Sequence, residues 1–71
     1  MRAHGSSIRL RREQLGYGLR RFAALVGVSP AHLSRIEREQ CGAQPEVITR
    51  IAKGLGVAFT DIVPSSNEKR R

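Results

Sequence analysis

Apolar residues recur along this chain at helical spacing, and glycines and prolines cut them into short segments. The breaks fall at Gly16 and Gly18, Gly27, Gly42, Pro45, Gly54 and Gly56, and Pro64. In the first piece a rotation of about 100° per residue places Ile8, Arg11, Arg12 and Leu15 on one side. Leu19, Phe22, Ala23 and Val26 follow the i, i+3, i+4, i+7 rule in the second. The third, from Pro30 to Arg38, offers only Leu33 and Ile36 as large apolar residues. In the fourth, Val47, Ile48, Ile51, Ala52 and Leu55 repeat the pattern behind Pro45, a favourable first helical position. A last short helix is predicted around Asp61, Ile62 and Val63, with the Thr60 hydroxyl as its cap. Strand signals are absent, so the expected fold is all-α, a compact five-helix bundle over residues 8–63. Residues 1–7 read as a flexible N-terminal arm, and residues 64–71 as a flexible basic tail.

The stretch from Leu19 to Glu37 carries the most specific pattern. Ala23 is small enough to let two helices cross closely. Gly27, four residues on, can take the left-handed backbone that ends a helix and turns the chain. Val28 can plug the corner, Ser29 can cap the next helix, and Pro30 presets its first turn. Leu33 and Ile36 then lock that helix back on Phe22, Ala23 and Val26. Each match is weak alone. Together they have the spacing of a helix-turn-helix, which an ordinary αα-hairpin does not need.

Size and charge narrow the function. With 71 residues there is room for one core, and at 39% hydrophobic and 4% aromatic it must be built mainly from Leu, Ile, Val and Ala. Thirteen basic and six acidic side chains leave a net charge of +7, which favours a polyanionic partner. The single cysteine, Cys41, excludes an intramolecular disulfide framework and a cysteine-based zinc cluster. No apolar run reaches the roughly 18 residues of a membrane span, and no apolar segment follows Arg2 as in a signal peptide. A cytoplasmic, nucleoid-associated protein is expected, with no membrane contact, cofactor, metal or small-molecule ligand. Convergent reactive groups are also missing, so an enzyme is not expected.

From Ile8 to Val63 the chain resembles the lambda repressor/Cro family of helix-turn-helix domains, also called the xenobiotic-response-element family. The matches are Gly16-Tyr17 and Leu19-Arg20 around the start of the second helix, Ala23, Gly27-Val28-Ser29 in the turn, and Leu33-Ser34-Arg35-Ile36-Glu37 in the third helix. Pro45, Ile51-Ala52-Lys53 and Leu55-Gly56-Val57 extend them. The resemblance implies five helices, a third helix laid in the DNA major groove, and a homodimer on a two-fold operator. Three positions depart from it. Leu19 stands where many relatives carry a phosphate-binding Gln, Glu39 where Gly or Asn is usual, and the loop Gln40-Cys41-Gly42-Ala43-Gln44 lacks positive charge.

With Leu33 and Ile36 inward, Ala31, Ser34, Arg35 and Arg38 form the outward stripe of the third helix. Arg35 is the candidate for direct readout, because its planar fork can bond guanine O6 and N7 together. Pro30 and Ala31 can offer close approach and contact with a thymine methyl, and Ser34 can bond a base or a phosphate. Arg38 and His32 are expected at the DNA backbone. Arg20, near the start of the second helix, is the preferred phosphate clamp, helped by the Gly18 N–H. Arg12 and Glu37 are expected to pair in the core, as the resemblance also implies. Cys41 reads as a loop thiol. Phe59, Ile62 and Val63 look like surplus apolar surface and are the expected homodimer contact.

The expected activity is that of a sequence-specific DNA-binding transcriptional regulator, a repressor. Two rivals share its charge: a small basic component of a nucleoid or ribonucleoprotein, and a helix-turn-helix module, such as an antitoxin, whose main partner is a protein. The first does not need Ala23, Gly27 and Ser29 at these offsets. The second has almost no extra segment here for such a partner.

Overall fold

A computed structural model describes residues 2–63; the expected basic tail, 64–71, lies outside the described residues. Four α-helices are present: α1 (Gly5–Gln14), α2 (Leu19–Val26), α3 (Pro30–Glu37) and α4 (Pro45–Leu55). The α2 helix packs against α3 and α4, and α1 packs against the same two. Phe22, Ile8, Leu33, Ile36, Ile48 and Ile51 are the largest fully buried side chains. Burying each contributes roughly 1.5–3 kcal/mol. Tyr17 covers one edge of this core, its ring 5.4 Å from that of Phe22. Among the described residues no helix is long and apolar enough to cross a membrane.

The fifth helix of the expected bundle is only a 3-10 turn, Phe59–Asp61, packed on α4. Its cap is not Thr60: the Ala58 N–H donates to Asp61 Oδ2 at 3.0 Å. Pro64 follows closely and disfavours helical backbone at Val63, which leaves no room for further turns.

The two chain ends differ most from expectation. The first helix begins at Gly5, three residues before the expected boundary at Ile8. Residues assigned to an arm are tied down: Ala3 is buried, and the His4 N–H donates to the Ile62 carbonyl at 2.8 Å. This bond draws the closing segment under the bundle. Ile62 and Val63, expected at a dimer contact, are therefore core residues, 2% and 8% exposed, while Phe59 is half-buried against the same core. At the other end of α1, Leu15 is 50% exposed instead of inward. The buried stripe of α1 runs through Gly5, Ile8 and Arg12, and its centre lies about 50° of helix rotation away from Leu15.

Gly5 is where α1 meets α3. A Cβ there would collide with the main-chain carbonyls of Glu37 and Ile36, so the start of α1 approaches the end of α3 as closely as only glycine permits.

Candidate nucleic-acid interface

The two ends of α3 are fixed by different means. At its start Ser29 has extended backbone, and its Oγ accepts the His32 N–H at 3.1 Å, with Pro30 opening the helix. The preceding turn is made by Gly27, at φ 80°. Val28 is half-buried against the core. These features agree with the spacing argument.

At the end of α3, Glu39 adopts φ 59°, the left-handed region that favours glycine. The Glu39 N–H donates to the Ile36 carbonyl at 3.0 Å and the Gln40 N–H to the Arg35 carbonyl at 2.8 Å. This is the paired bonding of a Schellman cap. Gly16, Gly27 and Gly56 end the other three helices in the same way. Two contacts offset the strain of a glutamate here. Its Oε2 accepts the Gly5 N–H at 3.0 Å, and its carbonyl accepts a bond from Arg2 Nη1 at 2.8 Å. The carboxylate thereby caps the first turn of α1, where the helix dipole favours an anion.

Beneath α3, Arg12 donates from Nε to Glu37 Oε2 at 2.7 Å and from Nη2 to Glu37 Oε1 at 3.0 Å. Its Nη1 donates to the Tyr17 carbonyl at 2.8 Å. One guanidinium thus joins α1, the α1–α2 turn and α3. The hydrogen bonds to Glu37 raise the pKa of Arg12 above its ordinary value, against the opposing effect of burial. The stability linked to this shift is present at every pH below the arginine range and is lost only on rising through it.

The outward side of α3 presents Ala31, Arg35 and Arg38 to solvent, with Ser34 half-buried beside them. Pro30 and Arg20 are exposed, and His32 is half-buried. His32 Nδ1 lies 4.0 Å from Cys41 Sγ, so the loop after α3 returns to the helix start. The same ring borders a shallow groove with Gly42, Ala43, Gln44, Pro45 and Val47. Among the described residues no group of three or more His, Cys, Asp or Glu side chains could hold a metal ion.

Sequence reasoning missed Arg9. It lines a concave notch between α1 and α3 together with Ser34 and Arg38 of the outward stripe. Its position three residues before Arg12 was the available signal, since i and i+3 share a helix flank. Only the packing of α1 against α3 brings that flank beside the outward stripe.

A short α3 with a capped start, an anchored inner side and a cationic outer side defines a helix-turn-helix nucleic-acid-binding domain. The chain belongs to the helix-turn-helix family HTH_3, whose model matches residues 8–62, and is related to lambda repressor/Cro-like regulators. Members of this family are transcription factors, not enzymes. The HTH-type transcriptional regulator SutR of Escherichia coli K12 is 38% identical over 52 residues, covering 73% of this chain and 29% of SutR. The chain thus spans less than a third of that relative's length. The clp gene regulator ClgR of Corynebacterium glutamicum superposes with a TM-score of 0.73 at 32% identity, over 80% of this chain and 74% of ClgR. The P22 c2 repressor, solved with a synthetic operator, gives a TM-score of 0.76 at 27% identity, over 83% and 89% of the two chains.

Proposed function

We propose that this chain is a sequence-specific DNA-binding transcriptional regulator, a cytoplasmic repressor that lays α3 in the major groove. One observation carries the reading: the inward side of α3 is fully committed to the core, whereas its outward side holds donors with no ion pair among the described residues. Arg35 reads a guanine through two hydrogen bonds. Ala31 and Pro30 allow close approach to base edges, and Ser34, Arg38, His32 and Arg20 hold the phosphates that fix register. The P22 c2 repressor, similar over most of its length, is solved with an operator, which supports the same use of this fold here.

The regulator acts as a homodimer on a two-fold site. With Ile62 and Val63 in the core and Phe59 half-buried against it, the pairing surface is the flank of Leu10 and the closing turn. Leu10 is 58% exposed and borders a groove between α1 and the closing turn, with Ser7, Arg11, Gln14, Val57 and Asp61. A two-fold contact must be self-complementary. This flank offers an apolar knob, a groove, and the opposite charges of Arg11 and Asp61.

Selection of bound sites from random duplex DNA tests the reading. A shared two-fold motif with half-sites about 34 Å apart is expected; a bound pool with no common motif would contradict it. On that site, Leu10→Glu should abolish cooperative full-site binding while leaving half-site binding and melting unchanged. Retained cooperativity would place the dimer contact elsewhere.

A further inference from the structure

A concave notch lies between α1 and α3. It is lined by Arg9, Arg12, Leu19, Ser34, Glu37 and Arg38. Its floor is electrically balanced, because both Glu37 oxygens accept from Arg12, whose third bond goes to the Tyr17 carbonyl. Its rim is cationic. Arg38 has no ion pair among the described residues, and Arg9 is held only by Glu13, Nε to Oε2 at 3.2 Å. In that pair the side chains are 63% and 51% exposed, so solvent screens the attraction and a better anion can replace the carboxylate. Two guanidinium forks around a hydroxyl match the oxygens of a phosphate group.

The ligand class follows from where the notch sits. Ser34 and Arg38 belong to the outward stripe of α3 that also carries Arg35, whereas Arg9 comes from α1. An anion bound by all three therefore lies beside whatever α3 reads, at the edge of the groove and not on its floor. The phosphates of duplex DNA run along that edge.

We propose that Arg9, Ser34 and Arg38 together clamp one phosphodiester of the DNA backbone, and that Glu13 competes with it for Arg9 and so limits affinity. This rests on the DNA-binding reading above. It adds a contact from α1, and it assigns Ser34 and Arg38 to a single phosphate. In the free protein Arg9 pairs with Glu13; on DNA the guanidinium turns to the phosphate and releases a counterion.

The test is a salt titration of the full chain on its selected duplex and on an unrelated one. Arg9→Gln should weaken both by the same factor, on the order of tenfold for one charge-assisted contact. It should also reduce the slope of log affinity against log salt by about 0.9. Glu13→Gln should tighten binding to both duplexes. In an Arg9→Gln background that gain should vanish, because a long-range charge effect would survive loss of Arg9 and release of Arg9 would not. An unchanged slope in Arg9→Gln, or a Glu13→Gln gain that persists without Arg9, overturns the clamp while leaving the DNA-binding reading standing. Inorganic phosphate that binds wild type through Arg9 without weakening either duplex would also overturn it, by identifying a free-phosphate site that DNA does not use. A wild-type chain that binds neither duplex overturns the underlying reading itself.

Discussion

The inward and outward faces of α3 serve opposite ends. Both carry charge. Inward, Glu37 is neutralised by two bonds from Arg12 and sits beside fully buried Leu33 and Ile36. Outward, Arg35 and Arg38 stand in solvent with no ion pair among the described residues. The same helix therefore stores stability on one side and unsatisfied binding capacity on the other. Because few side chains serve both faces, substitutions should separate folding from recognition.

The largest expected effect breaks the inner face. Glu37→Ala leaves Arg12 charged and buried without its carboxylate, and should cost about 3–5 kcal/mol of stability in denaturant unfolding. A stability equal to wild type would contradict the buried pair. A smaller effect falls on the helix start, which both faces share. Ser29→Ala removes the acceptor of the His32 N–H and should cost about 1 kcal/mol. Ser29→Gly should cost less, and the reverse order would contradict the capping role. The smallest effect belongs to the helix end. Glu39→Gly relieves the left-handed backbone but loses the bond to the Gly5 N–H, so its net cost should stay below about 1 kcal/mol. Glu39→Ala keeps the strain and loses the same bond, and should melt lower than Glu39→Gly. An Ala variant more stable than the Gly variant would remove the argument from backbone strain.

The α2–α3 hairpin was legible because every signal for it is local. Ala23, Gly27, Ser29, Pro30, Leu33 and Ile36 fall in one short stretch, and each acts on its near neighbours. The anchoring pair Arg12 and Glu37 was legible through helical spacing and family resemblance together. What escaped depends on contacts between distant parts of the chain. Reading residues 1–7 as an arm removed the partner of the closing segment, so Ile62 and Val63 looked like surplus surface. In the structure Ala3 is buried and His4 bonds Ile62, and one misplacement thus produced the other. Nothing near Gly5 in sequence marks it as the contact with the end of α3. Likewise, Glu39 reads as a poor cap until Gly5 and Arg2 are brought to it.

The proposed reading divides α3 into an outward side that reads DNA sequence and an inward side that holds the fold. Affinity of Arg35→Ala and wild type for the selected duplex and its single-base-pair variants, with melting of both proteins, tests it most directly. Unchanged melting is expected, with a loss of about 1–3 kcal/mol of discrimination confined to one base pair of each half-site. Wild-type preference retained at every position would contradict it.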